Sequence, residues 1–205
     1  MVIKMMNCFG KWMIAFFILA FLGMLSCNSP YTPKPVGYFR ISFPEKKYRL
    51  FEKEGYPYSF EYPVYANVSK DSTYFGETTE NPWWININFP EFKGKIYVSY
   101  KEIGVNKFDT LVKHAFSLTG KHSAKAYSIE DSVISTPNNI KGMFFELGGD
   151  VATANQFFLT DSTRHFLRGA LYFDVEPNAD SLGIVNQFLI EDVRHLINTF
   201  KWRNQ

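Results

Sequence analysis

Residues 155–200 read NQFFLTDSTRHFLRGALYFDVEPNADSLGIVNQFLIEDVRHLINTF, and a change of period inside them decides the fold. Asn155–Thr160 and Arg164–Asp174 are rich in Phe, Leu and Tyr, as strands are, and Asp161, Ser162 and Thr163 between them are residues that close tight turns. From Leu182 the spacing changes. Leu182, Val185, Leu189, Val193, Leu196 and Phe200 recur every three or four residues, which sets one face of a helix against a core. Asp180 or Ser181 stands where a helix cap is expected. Strands joined by so short a turn are antiparallel, and an amphipathic helix following them covers the sheet they form.

The chain upstream repeats these signals. Trp83, Ile85, Ile87 and Phe89 fall on one face of a strand and Trp84, Asn86 and Asn88 on the other, so Trp84 is expected to point away from the core. Ile96, Val98 and Tyr100 alternate again after Pro90 and Gly94, which predicts a hairpin. Asn106 and Asp109 resemble a capping box, Phe108, Leu111, Val112 and Ala115 form an apolar stripe, and Gly120 ends that helix. Further strands are expected around Ala126–Ile134 and Gly142–Leu147, with Gly148 and Gly149 supplying the turn toward Asn155. Tyr56, Tyr58, Phe60 and Tyr62 recur at period two with their aromatic face inward, and Pro57 and Pro63 limit that run to a short or edge strand. Tyr38–Leu50 alternates Phe39, Ile41 and Phe43 with Arg40, Ser42 and Glu45, a short strand ended by Pro44. The fold class is therefore α+β: one domain over residues 38–205, an antiparallel sheet flanked by amphipathic helices. The order of elements, closing on a long helix and Trp202, resembles the PsbP-type α/β/α sandwich.

The N-terminus has a different character. Lys4 and Lys11 precede an apolar run from Trp12 to Leu25, and Ser26 and Cys27 follow directly before a Pro-rich stretch, the layout of an export signal over residues 1–26. The run is shorter than the roughly 20 apolar residues that cross a bilayer. Met24, Leu25, Ser26 and Cys27 resemble a bacterial lipobox, in which the thiol accepts lipid, palmitate among the acyl chains, before cleavage. Cys8 lies in the segment to be removed, so Cys27 would be the one cysteine of the mature chain and no internal disulfide could form. Residues 27–37 then make a lipidated tether: Pro30, Pro33 and Pro35 favour extended geometry at about 3.1 Å per residue. Asn28, rather than Asp, after the cysteine favours the outer membrane over the inner. The expected place is the cell envelope, lipid-anchored and facing the periplasm.

Charge and motif narrow the chemistry. Removing Lys4 and Lys11 from 22 basic and 20 acidic residues leaves a balanced 20 and 20. Bases and acids are interspersed, which argues against nucleic acid as a partner. Gly120 and Lys121 lack the rest of a phosphate loop, so no nucleotide is expected, and His114, His122, His165 and His195 show no zinc spacing. No cofactor is expected. Ser162 and His165 could suggest a hydrolase, but nucleophile and base seldom come from one tight turn and no oxyanion signature accompanies them. The expectation is a protein that is not an enzyme. Glu191 and His195, one helical turn apart, read as an exposed surface pair. Trp84, Asn86, Tyr56 and Tyr58 are the candidate partner or ligand contacts, because an outward aromatic beside Asn can stack on a sugar or anchor a protein.

Four stretches carry a resemblance: residues 31–44 (YTPKPVGYFRISFP), 82–86 (PWWIN), 156–173 (QFFLTDSTRHFLRGALYF) and 177–182 (PNADSL). They resemble the GldD family of gliding motility lipoproteins of the Bacteroidota, over essentially the whole mature chain. The resemblance implies a role in gliding and in the associated type IX protein secretion, with other gliding or secretion proteins of the envelope as partners. It brings no catalytic residues. The implied function is a non-catalytic scaffold or assembly factor; the alternative is an envelope lipoprotein that binds a glycan or lipid.

Overall fold

The computed structural model describes residues 40–74 and 77–203; the expected signal, Cys27, the tether and the first two residues of the expected domain lie outside these. In chain order the elements are β1 (Tyr48–Phe51), β2 (Tyr58–Pro63), β3 (Asn67–Lys70), β4 (Thr73–Tyr74), β5 (Glu77–Thr78), β6 (Ile85–Phe89) and β7 (Gly94–Glu102). Helix α1 (Phe108–Gly120) follows, then β8 (Ala126–Ser135), β9 (Lys141–Gly149), β10 (Asn155–Thr160), β11 (His165–Phe173), α2 (Ala179–Thr199) and β12 (Lys201–Trp202). Seven strands make one antiparallel sheet in the order β3-β6-β7-β11-β10-β9-β8, and β1-β2-β12 make a second, smaller one. The fold is α+β, as the periodicities predict.

Alternation along the large sheet builds two cores. On one side Ile85, Ile87, Phe89, Ile96, Val98, Phe157 and Leu159 pack with Val185, Leu189, Val193 and Leu196 of α2 and with Tyr58 and Phe60 of the small sheet. On the other, Phe145, Leu147, Phe158 and Phe166 pack under Leu111 and Ala115 of α1. Each such side chain contributes about 1.5–3 kcal/mol on burial. In β11, Gly169 is required by close approach: a Cβ there would lie 2.2 Å from the ring of Phe157.

Several boundaries differ from expectation, each for a local reason. Residues 40–47 form no strand; β1 begins beyond Pro44, and Phe43 instead stacks on Phe188 of α2 at 4.3 Å between ring centroids. β2 is the middle strand of its sheet rather than an edge, because Pro57 precedes it and Pro63 ends it, leaving the interior N–H groups free to pair on both sides. Gly148 and Gly149 complete β9, and the turn falls in residues 150–154, where the amide of Leu147 bonds the carbonyl of Ala154 at 2.8 Å. Lys107, without a side-chain bond, precedes α1, while Asn106 donates to Glu80 and to the carbonyl of Glu102. The cap of α2 is Asn178, whose side chain accepts from the amide of Ser181 at 3.0 Å.

Candidate functional surface

Of the four candidate contacts, the structure leaves one on the surface. Tyr58 is fully buried and its hydroxyl donates to the carbonyl of Trp83. Tyr56 is buried beside it. Trp84, expected to face outward, is 8% exposed and belongs to the same core, its indole N–H donating to the carbonyl of Tyr100 at 2.8 Å. The reason is a turn. Asn81 accepts from the amide of Trp83 at 3.1 Å, and strand geometry begins only at Ile85, so the alternation does not extend back to the two indoles. The indole of Trp83 donates to the carbonyl of Gly55 at 2.6 Å. Tyr56, Tyr58 and Trp84 are thus core residues, with Trp83 partly buried against them.

Asn86 is the candidate that lies on an open face. Register carries one row of side chains across the large sheet: Ser69 opposes Asn86, Asn86 opposes Tyr97, Tyr97 opposes Ala170, and Ala170 opposes Gln156. In the next row Asn67 opposes Asn88, Asn88 opposes Lys95, and Lys95 opposes Tyr172. Helix α1 covers this side of the sheet over β9 and β10, where Thr119 meets Gln156 at 3.4 Å. The part built by β3, β6 and β7 is half-buried and polar, with amides and hydroxyls around two aromatic rings, Tyr97 and Tyr172, which meet edge to face at 5.5 Å. Asn88 donates to Ser69 at 3.0 Å, and Lys95 lies 5.2 Å from the Tyr97 ring. Two buried amide atoms in the first row, Asn86 Oδ1 and Gln156 Nε2, have no hydrogen-bond partner among the described residues. Sequence reading reached Asn86 but not Tyr97 or Tyr172; their place opposite Asn86 and Lys95 depends on strand order.

The polar cluster Asp161–His165 is taken up by its own turn. One carboxylate oxygen of Asp161 accepts from the amides of Thr163, Arg164 and His165 at 2.8–2.9 Å. Burial alone would raise this carboxyl, but the three backbone donors outweigh it and hold it below the ordinary range. His165 Nδ1 lies 2.6 Å from the hydroxyl of Tyr100, and its ring stacks on Trp202 at 4.8 Å. Burial pushes the imidazole down and the phenol up, so both are neutral at pH 7. Burial and the nearby Arg168 also lower His114 and His122 on the α1 side.

Two further contacts fix the segment through which the N-terminus joins the domain. His195 does not form an exposed pair with Glu191: its Nε2 meets Glu61 of β2 at 2.7 Å and its ring stacks on Tyr48 at 3.6 Å. One turn away, Asp192 is 2% exposed and receives Lys46 at 2.8 Å, the hydroxyl of Tyr48 at 3.0 Å and the hydroxyl of Tyr65. Lys46 also donates to the carbonyl of Phe188 at 2.7 Å and sits over that ring. Burial and the Asp192 carboxylate raise both phenols, so they remain hydrogen-bond donors. Asp192 was legible as an anomaly. It falls three residues after Leu189 and four before Leu196, inside the buried stripe, where an acid needs partners.

Among the described residues no three His, Cys, Asp or Glu side chains converge as metal ligands, and no helix is long and apolar enough to cross a membrane.

The comparisons with known proteins come to three findings. No curated protein matches the chain. The solution structure of cyanobacterial PsbP (CyanoP) from Synechocystis sp. PCC 6803 is similar over 83% of this chain and 100% of its own, at 9% identity and a TM-score of 0.47. A family model described as gliding motility lipoprotein GldD matches residues 28–202, a span that takes in every element of the domain. The chain therefore belongs to the GldD family of gliding motility lipoproteins.

Proposed function

We propose that this lipoprotein is held to its membrane by lipid on Cys27, palmitate among the acyl chains, and works as a non-catalytic scaffold or assembly factor for gliding and the associated type IX secretion. Two or more acyl chains anchor a protein stably, so no spanning helix is needed. One observation carries the reading. The residues best suited to chemistry are committed to the fold: Asp161 to its turn, His165 to Tyr100 and Trp202, and Asp192 to Lys46, Tyr48 and Tyr65. The domain is then left to act by contact, with energy supplied by other envelope components. Asn28 after the lipid-bearing cysteine favours the outer membrane, with the domain in the periplasm. An in-frame deletion tests this: colonies should stop spreading and adhesins should stay inside the cell. Normal spreading and secretion in the deletion strain would end the reading.

A second reading, a glycan-binding lipoprotein, is favoured by the open face of Asn86, Tyr97 and Tyr172, where amide and ring side by side suit a sugar. Titration of the full-length protein in detergent with peptidoglycan fragments, followed by calorimetry, tests it. Heat lost on Asn86→Ala supports a sugar site there; no heat with the parent protein removes it.

A further inference from the structure

The two edges of the large sheet are built differently. At one end β3 has four residues and carries Lys70, features that discourage further pairing. At the other, β8 has ten residues and spans about 33 Å at strand rise. It contains neither proline nor lysine, and it pairs with β9 alone. Its outer row of backbone N–H and C=O groups therefore has no strand partner among the described residues.

That edge also exposes apolar side chains. Tyr127 is 81% exposed, Val133 79%, and Ile129 is exposed as well. Ile129 and Val133 oppose Leu147 and Met143 of β9, on the side of the sheet that α1 covers, and the exposed Phe116 of α1 packs edge-on to Phe145 between them. The other side of β8 opens on a depression of about 270 Å³ lined by Ser132, Ile134, Phe144, Arg194 and Ile197. A strand laid against β8 would find backbone partners from Ser128 to Ser135, beyond the irregularity between Ala126 and Ser128, with an apolar shoulder on one side and a pocket on the other. These are the elements of strand addition, in which the main chain gives affinity and pockets for alternate side chains give specificity.

The charges select the occupant. Glu130 and Asp131 lie at the middle of β8, both exposed and neither in an ion pair among the described residues. If two copies paired through β8 antiparallel about its centre, Glu130 of one would oppose Asp131 of the other twice over. Slipping the register by one puts Glu130 against Glu130 or Asp131 against Asp131. Like charges directly opposite destabilise a ladder, so the strand is set against its own copy. A segment with Lys or Arg at its centre and apolar residues on either side meets the opposite condition.

We infer that β8 is a docking edge for an extended segment of another envelope protein, apolar with a basic centre, which adds an eighth strand to the large sheet. This deepens the scaffold reading, on which it rests, by naming the kind of contact a scaffold would make.

The test uses the full-length lipoprotein in cells, with a photo-crosslinking amino acid placed at Tyr127 or at Val133, and at Ser69 on the opposite edge as control. Adducts from both β8 positions to one segment of a different protein, carrying Lys or Arg between apolar residues, are expected. The double reversal Glu130→Lys, Asp131→Lys should cut that adduct about tenfold, since like charge now meets like across the contact. The neutral pair Glu130→Gln, Asp131→Asn should give an intermediate loss. Both carboxylates are exposed, so protein level and melting midpoint should match the parent. Adducts to a second copy, adducts to residues 28–39 of the same chain, no adduct at β8, or an adduct indifferent to charge reversal would each overturn the inference. Failure here is separable from failure of the scaffold reading. A deletion strain that no longer glides, beside a charge-reversed strain that does, removes only the edge.

Discussion

Tyr48 in β1 donates its hydroxyl to the buried carboxylate of Asp192 in α2 across 144 residues of sequence, at 3.0 Å. Tyr65 reaches the second oxygen of the same group and Lys46 the first, so one acid joins the beginning of the domain to its last helix. Removing the buried acid takes the acceptor from two phenols and the counter-ion from the part-exposed Lys46, and Asp192→Ala should destabilise the protein by about 3 kcal/mol. Asp192→Asn keeps one acceptor oxygen for a phenol, and its NH2 can donate to the other hydroxyl, so it should cost less. Urea unfolding followed by circular dichroism measures both, and an alanine variant with the parental midpoint would contradict the buried arrangement.

The histidines set the response to acid. His114, His122 and His165 all have pKa values lowered from the ordinary 6.5, in each case chiefly by burial. The unfolded chain therefore binds protons at a higher pH than the folded one, and stability falls as pH drops below about 6.5 and continues to fall until the folded histidines protonate. Above that value these groups should leave stability flat. Asp161 and Glu80, both held low, act in a separate and more acid window, below the ordinary 3.8 and 4.5. Melting midpoints between pH 5 and 8 should show the first slope, and His165→Gln, which cannot titrate, should make it shallower. An equal slope in that variant would assign the acid sensitivity elsewhere.

In β9, Gly142 faces the backbone of β10: a Cβ would lie 1.8 Å from the carbonyl oxygen of Phe158. A side chain could rotate away, but a sheet carbonyl cannot without breaking its ladder. Gly142→Ala should therefore cost about 3 kcal/mol or more and lower the yield of folded protein. Gly183→Ala, in open space on α2, is the control and should stabilise slightly, by about 0.5–1 kcal/mol. Thermal melts of the two variants rank them directly.

Cys27→Ser should abolish incorporation of a palmitate analogue and move the protein out of the membrane fraction. Cys27 lies outside the domain built by residues 40–203, so the melting midpoint should not change. Gliding should be lost with the anchor. A soluble Cys27→Ser protein that supported spreading would show that the contact work does not require the membrane.

Local signals made most of the fold legible. The shift from strand residues to a helical spacing after Asp174 gave β10, β11 and α2 nearly to the residue, and the Trp83–Tyr100 alternation gave the β6–β7 hairpin. Less was legible where local pattern and tertiary structure part. Trp84 looked outward because alternation was carried one residue past the start of the strand, into the Asn81 turn. Pro57 and Pro63 suggested an edge or a short strand; they bracket a six-residue strand that is central in its sheet. Of the candidate contacts, Asn86 alone is placed on the open face, and its neighbours Tyr97 and Tyr172 become visible only with the order of strands. Asp192 could have been found by asking why an acid sits in an apolar stripe.

The grip on Asp192 also has a mechanical side. On the scaffold reading proposed above, the protein would be tied to a membrane at one end and to a moving apparatus at the other, and its chain would be under tension. Tension arriving from the N-terminus would meet the Phe43–Phe188 stack first, then Lys46 and Tyr48, which hold one carboxylate in the middle of α2. The pull would then be shared with the longest helix of the domain from the first residue of the β1–β2 ladder onward, which would protect the short edge strand from being peeled away.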